Sequence, residues 1–287
     1  MPNAIIKLEN VSWAYSREKE WALRDISLEI EEGSFIAVMG RNGAGKSSFC
    51  RLLNALIPHS LEGSLTGDVT IDGENTKSSS VIQLAKKVGM AFEDPETQLF
   101  TTSVYDEAAF ALENLLLEPE DIAAKVRPAL EAAGLWDYRD YLVSSLSGGQ
   151  KQRLTIAAAL AMANKILVLD EPASQLDPIG ARDILSFIHD LRAQKTLTVV
   201  MTTGSGEEAA EFADKIIVLK DGCLAAFGTP GQVFADKELL ASCMIDPPQV
   251  SEFANRMDEY GHPLPSFPVN LDEALESTRD LFKGTHG

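Results

Sequence analysis

An apolar run, Phe35-Ile36-Ala37-Val38-Met39, leads into Gly40-Arg41-Asn42-Gly43-Ala44-Gly45-Lys46-Ser47 and then into a segment of helical character, Ser48 to Leu56. This strand–loop–helix succession limits what the chain can become more than any other feature in it. The loop reads G-x-x-x-x-G-K-S, and its setting makes it a phosphate-binding loop rather than a glycine-rich turn. Glycines let the backbone curl so that successive N–H groups converge on one anion. The helix N-terminus that follows already favours negative charge. Lys46 brings a point charge suited to β- and γ-phosphates, and Ser47, with Ser48 beside it, brings a hydroxyl suited to Mg²⁺. A nucleoside triphosphate is the expected ligand.

Around that loop, strand-like runs fall at Ile5–Leu8, Ile26–Ile30, Phe35–Met39, Val69–Ile71, Val88–Phe92, Ile166–Leu169, Thr198–Thr202 and Ile216–Leu219. The early ones read as hairpins about Glu32-Gly33 and Asp72-Gly73. The later ones alternate with helical patterns, which predicts a parallel sheet covered by helices. Between Thr102 and Asn164 there is no strand signal, only helical spacing at Val104–Leu116, Ile122–Ala133 and Gln150–Ala163. Beyond Gly228 the chain carries Pro230, Pro247, Pro248, Pro263, Pro265 and Pro268 and short acidic helical pieces such as Asp272–Leu281, a small C-terminal appendage. With 45% apolar residues the 287-residue chain can bury a sizeable core. A net charge of −18 speaks against a nucleic-acid partner, because phosphate backbones demand a basic face. Cys50, Cys223 and Cys243 are widely spaced and odd in number, which fits a reducing cytoplasm. No signal peptide is visible after Met1, and no apolar stretch reaches the roughly 18 residues that span a bilayer.

A second apolar strand, Ile166-Leu167-Val168-Leu169, ends in Asp170-Glu171-Pro172. A strand of this kind delivers an acid to the sheet edge beside the phosphate loop. There Asp170 can hold Mg²⁺ through water and Glu171 can polarise an attacking water. Leu146-Ser147-Gly148-Gly149-Gln150 then opens a helix, a further set of exposed N–H groups. Taken together, G-x-x-x-x-G-K-S, L-S-G-G-Q and the D-E of the second strand resemble the ATP-binding cassette ATPases. The resemblance implies a P-loop α/β core with an antiparallel β subdomain, a helical subdomain over about 101–164 within an ATPase domain of 1–229, and an appendage at 230–287. In that family two cassettes pack head to tail with ATP and Mg²⁺ between them. The phosphate loop of one faces Ser147, Gly148, Gly149 and Gln150 of the other. Ser174-Gln175-Leu176-Asp177 matches the D-loop at that interface, and Tyr15 sits where the family stacks an aromatic on adenine.

The resemblance narrows further. Gly89-Met90-Ala91-Phe92-Glu93-Asp94-Pro95-Glu96-Thr97-Gln98-Leu99-Phe100 and Asp106-Glu107-Ala108-Ala109-Phe110-Ala111-Leu112-Glu113-Asn114 are similar to segments of energy-coupling factor transporter ATPases. That likeness implies an ATP-driven translocase subunit, peripheral on the cytoplasmic side of the cell membrane. Its implied partners are a second cassette ATPase, a transmembrane coupling protein and a small membrane protein that binds a vitamin or metal ion. It also implies that Glu93, Asp94 and Glu96 meet arginines of the coupling helix. Two positions depart from the family pattern. Glu93 replaces the Gln that ligates Mg²⁺, and Gly204 replaces the His that hydrogen-bonds the γ-phosphate; His59, His189, His262 and His286 all lie elsewhere in the motif order. Two readings stay open: hydrolysis at this chain's own site is impaired and a heterodimer compensates, or Glu171 carries hydrolysis alone. A soluble cassette acting in DNA repair or cofactor assembly is the alternative class, although the sustained heptads of repair cassettes are missing.

Overall fold

The computed structural model describes residues 4–18, 20–162, 165–195 and 197–283. Ala163, Asn164 and His286, named above, lie outside the described residues. Among the described residues the strands are β1 Ala4–Tyr15, β2 Leu23–Glu31, β3 Phe35–Met39, β4 Gly63–Ile71, β5 Glu74–Asn75, β6 Val88–Ala91, β7 Ile166–Asp170, β8 Thr198–Thr202, β9 Lys215–Lys220 and β10 Cys223–Gly228. The helices are α1 Lys46–Leu53, α2 Leu56–His59, α3 Val81–Ala85, α4 Val104–Asn114, α5 Pro119–Ala132, α6 Gly148–Met162, α7 Pro178–Lys195, α8 Gly206–Phe212, α9 Pro230–Phe234, α10 Lys237–Cys243, α11 Gln249–Glu259 and α12 Leu271–Lys283.

The strands form two sheets. An antiparallel one has the order β2-β1-β4-β5, and a six-stranded one has the order β10-β9-β3-β8-β7-β6. In the larger sheet β9, β3, β8, β7 and β6 run parallel, with β10 antiparallel at the edge. Glu32-Gly33, expected as a hairpin turn, instead carries the chain from one sheet to the other, since β2 pairs β1 whereas β3 pairs β8 and β9. The reason lies in the side chains. β2 alternates buried and exposed positions, as a strand with one wet face must, while β3 is buried at all five positions and belongs in the middle of a doubly covered sheet. Asp72-Gly73 does close a hairpin, β4–β5, with both residues at positive φ (47° and 79°).

β3 shows how the two covers are built. Ile36 and Val38 pack with the antiparallel sheet and α1, through Phe49, Leu52 and Leu53. Ala37 and Met39 point the other way, onto Val233, Phe234, Leu240 and Ile245 of the C-terminal segment. Phe234 is fully buried there, worth about 2–3 kcal/mol of apolar burial, so α9 and α10 cover the sheet rather than trail from it. α4, α5 and α6 form a helical lobe whose core (Val104, Leu112, Val126, Leu130, Leu154) continues to Phe35 and Ala91 at the sheet. Glu107 ties the lobe to the incoming chain: it is 5% exposed and its Oε2 accepts from the backbone N–H groups of Phe100 and Thr101.

Local differences from the sequence reading have local causes. The helix expected from Ser48 to Leu56 runs from Lys46 to Leu53, because Ala55 turns to φ +60° and Asn54 Oδ1 accepts from the Leu56 N–H. β10, absent from the expected strands, is made by the Asp221-Gly222 turn (φ 50° and 78°), which folds an Ala-rich segment of weak strand propensity back onto β9. No helix among the described residues is long and apolar enough to cross a membrane.

Candidate nucleotide site

The phosphate loop joins the C-terminal end of β3 to α1, at the sheet edge where β8 and β7 also end. Its glycines are needed for their backbone. Gly40 has φ +148° and a Cβ there would collide with the Leu219 carbonyl; Gly45 has φ +105° and a Cβ would lie 2.7 Å from the Ala22 carbonyl oxygen. Lys46, the first residue of α1, is only 7% exposed. Its ammonium donates to Gly40 O at 2.9 Å and lies 3.1 Å from Glu171 Oε1.

Asp170 and Glu171 end β7 in different environments. Asp170 is 4% exposed and accepts from Thr202 Oγ1 at 2.8 Å. Glu171 takes φ +46°, which turns its side chain away from the strand, and its N–H donates to the same Thr202 oxygen at 2.8 Å. One hydroxyl from β8 therefore locks both acids, acting as donor to one and acceptor for the other. Thr202 was not singled out in the sequence; its only signal is a Thr-Thr pair closing an apolar strand.

An open cleft of about 660 Å³ is lined by Tyr15, Asn42, Lys46, Ser47, Glu93 and Glu171, among others that include Ser48, Arg51, Glu18, Glu20 and Trp21. Gly40, Ala44 and Asp170 lie buried behind it, and Arg41 points to Asp221 in an exposed ion pair. Tyr15 Oη bonds Ser48 Oγ at 2.9 Å and accepts from Arg51 at 3.3 Å, which holds the ring at the cleft wall. Beneath the loop, burial above all, and then the Asp170 charge, push the Cys50 thiol well up, so that cysteine stays protonated and inert. The oxygen donors fit Mg²⁺: Ser47 is a hydroxyl, Asp170 and Glu93 are carboxylates, and all are hard ligands. No cluster of three or more His, Cys, Asp or Glu that could hold a metal ion occurs among the described residues.

A second, smaller cavity of about 210 Å³ adjoins Glu171, between Ser174, Thr202, Thr203, Gly204 and Glu208. A Cβ at Gly204 would meet nothing within 4 Å. Burial first, and the Glu171 charge behind it, raise the Glu208 carboxyl above its ordinary range, although Thr203 Oγ1 donates to it at 2.5 Å. His59 is engaged with Thr76 O, far along the chain from this cavity.

The remaining motif residues stand apart from the Lys46 cleft. Ser147 and Gln150 bond each other reciprocally as a capping box at the start of α6 (2.9 and 3.3 Å), and Gly148 and Gly149 face open space. The acidic turn is internally paired. Asp94 accepts from the Glu96 N–H, Glu96 forms an ion pair with Lys151 of the signature helix, and Gln98 braces Met90 and Phe92. Glu96 and Lys151 thus link the loop after β6 to α6, a contact that 55 residues of sequence separation hid from view.

A family model described as ABC transporter matches residues 23–174. A putative ABC transporter ATP-binding protein of Pyrococcus abyssi is 44% identical over 236 residues, covering 82% of this chain and 84% of that one. The energy-coupling factor transporter ATP-binding protein EcfA1 of Caldanaerobacter subterraneus subsp. tengcongensis is 38% identical over 276 residues, or 95% and 98% of the two chains. Among solved structures, cbiO1 of Clostridium perfringens, described as part of the ABC transporter complex cbiONQ, matches with a TM-score of 0.73 at 30% identity, covering 91% of this chain and 98% of that one.

Proposed function

The chain belongs to the ABC transporter family, as an ATP-binding ATPase subunit of the energy-coupling factor type, and on that premise we propose that it powers uptake of a vitamin or metal ion. The energy would pass through a transmembrane coupling protein to a small membrane protein that binds the substrate, with this chain peripheral on the cytoplasmic face of the cell membrane. The observation that carries the proposal is the convergence of Lys46, Ser47, Glu93 and Glu171 on one cleft.

In this reading the loop N–H groups and Lys46 hold the β- and γ-phosphates, and Tyr15 packs on the adenine. Ser47, Glu93 and, through water, Asp170 would hold Mg²⁺, which when bound neutralises charge on the phosphate oxygens. Glu171 accepts a proton from the attacking water as the bond between the γ-phosphorus and the β–γ bridging oxygen breaks, leaving ADP and phosphate. Thr202 keeps Asp170 and Glu171 in their separate places for the two tasks. Ser147, Gly148, Gly149 and Gln150 serve the ATP of a partner cassette, and the segment after Gly228 contributes to pairing.

We assign a weakened hydrolytic step to this chain's own site, because Gly204 stands where the family's His donates toward the γ-phosphate and a glycine has no side chain to do so. Losing a hydrogen bond to a charged group costs about 1–3 kcal/mol, and a homodimer would carry that loss twice. A heterodimer with a related ATPase is the arrangement this favours. Detergent extraction should then recover a second cassette and a multi-spanning partner with the tagged chain. Lys46→Ala should abolish tight ATP binding. Full uptake reconstituted with this chain as the sole ATPase would refute the heterodimer, and ATP binding unaffected by Lys46→Ala would refute the site.

A further inference from the structure

The Lys46 cleft continues past the phosphate loop to Trp21, in the loop between β1 and β2. Trp21 is 44% exposed, a large indole left facing a cavity, while Trp13 is fully buried and Trp136 is covered by the guanidinium groups of Arg127 and Arg139. Single exposed aromatics are common and need no function. Here three further observations bear on the residue. The chain that follows it is fixed near the phosphate loop: Ala22 N–H donates to Trp13 O at 2.8 Å, Arg24 N–H donates to Gly222 O at 2.7 Å, and the Ala22 carbonyl lies so near Gly45 that a Cβ there would be 2.7 Å from its oxygen. Tyr15 lines the same cleft, held by Ser48 and Arg51 and edge-on to Trp13 at 5.5 Å, and has no ring contact with Trp21 among the described residues. Glu18 and Glu20 line the cleft as well, with Arg51 as the cation at the Tyr15 wall.

We infer that Trp21 is a second base-contact residue of the nucleotide site, forming with Tyr15 an aromatic slot that prefers purine to pyrimidine nucleotides. The inference rests on the assignment of the phosphates to Lys46. Stacking of a base on an aromatic side chain is sequence-tolerant and grows with ring overlap, so a purine gains more from the second ring than a pyrimidine does. Loss of one such contact corresponds to about a ten-fold change in affinity.

The test uses the full-length chain, with ATP and CTP as probes, isothermal titration calorimetry for affinity and intrinsic fluorescence as a direct reporter. Trp21→Ala is expected to weaken ATP about ten-fold and CTP by less, so that the ATP/CTP preference shrinks. Trp21→Phe should restore most of the affinity, which a role of the indole N–H as a hydrogen-bond donor would not predict. ATP should quench wild-type indole emission, and the quench should vanish in Trp21→Phe although that variant still binds, because the other two tryptophans lie outside the cleft. Unchanged ATP affinity in Trp21→Ala, or a full quench in Trp21→Phe, overturns the inference. Lys46→Ala separates the two assignments. If it binds ATP normally, the phosphate site itself is misplaced; if it loses ATP while Trp21→Ala does not, only the base contact falls.

Discussion

Glu171→Gln probes the pair that closes the cleft. Lys46 Nζ is 3.1 Å from Glu171 Oε1, and the two side chains are 7% and 25% exposed. A triphosphate must take Lys46 from this carboxylate and bring its own negative charge beside it. At that separation an effective dielectric constant of about 20 gives a Coulomb attraction near 5 kcal/mol, most of which desolvation offsets. A net competition of about 1–3 kcal/mol remains, toward the lower end because Glu171 still meets water. Glutamine keeps the shape and the N–H bond to Thr202 but removes the charge. A non-hydrolysable ATP analogue should therefore bind about 5- to 100-fold more tightly to the variant, and ADP should follow because Lys46 serves the β-phosphate too. Hydrolysis at this chain's own site should fall by about 10²- to 10⁴-fold, since an amide cannot accept the proton, while total turnover of the assembled heterodimer should change little if that site is already weakened. Calorimetric titration of both nucleotides, with phosphate release measured alongside, reads all three effects. An analogue affinity equal to or weaker than that of the wild type would refute the competition argument, because a mere block of hydrolysis does not alter the binding of something that cannot be hydrolysed.

Gly45→Ala combines a positive φ with a Cβ 2.7 Å from a backbone carbonyl that cannot swing away, so about 2–4 kcal/mol of stability should be lost, seen as a lowered Tm together with lost ATP binding. A Cβ at Gly204 meets nothing within 4 Å, so Gly204→His should change thermal stability by less than about 0.5 kcal/mol, and hydrolysis by the assembled complex should rise if the native step is weakened. For Glu208 the sign runs from its raised carboxyl: burial, chiefly, makes the folded chain hold this proton more tightly than the unfolded chain. Its contribution to stability is thus greatest below the unfolded value of about 4.3 and declines as pH rises through the folded one. Glu208→Gln should remove that decline, so denaturant titrations of wild type and variant should diverge in the variant's favour from pH about 4.3 upward, and parallel curves would contradict it.

Much of the site could be read from the chain because its chemistry is written in consecutive residues. Gly40 to Ser47 needs only its own backbone and the helix behind it to make an anion cradle. Ser147 to Gln150 caps its own helix, and Asp170-Glu171 ends its own strand. β3, β7 and β8 announced themselves for the same reason, as short runs of consecutive apolar residues that no single-faced strand would carry, and all three are buried at every position. What depended on distance in sequence was not legible. Glu32-Gly33 looks like a hairpin turn, and only the partners available to β2 and β3 send the chain across to a second sheet. Thr202 gains its place between the two acids because β8 inserts between β3 and β7, and Trp21 reaches the cleft because Ala22 rests on Gly45. The pairing of Glu96 with Lys151 of α6 likewise comes from folding and not from spacing along the chain. Local backbone geometry and burial are encoded residue by residue, so the sequence alone determined the cradle, the acids and the buried strands. Which distant side chains share a wall of the cleft follows from how strands are ordered and layers stacked, and only the tertiary structure decided that.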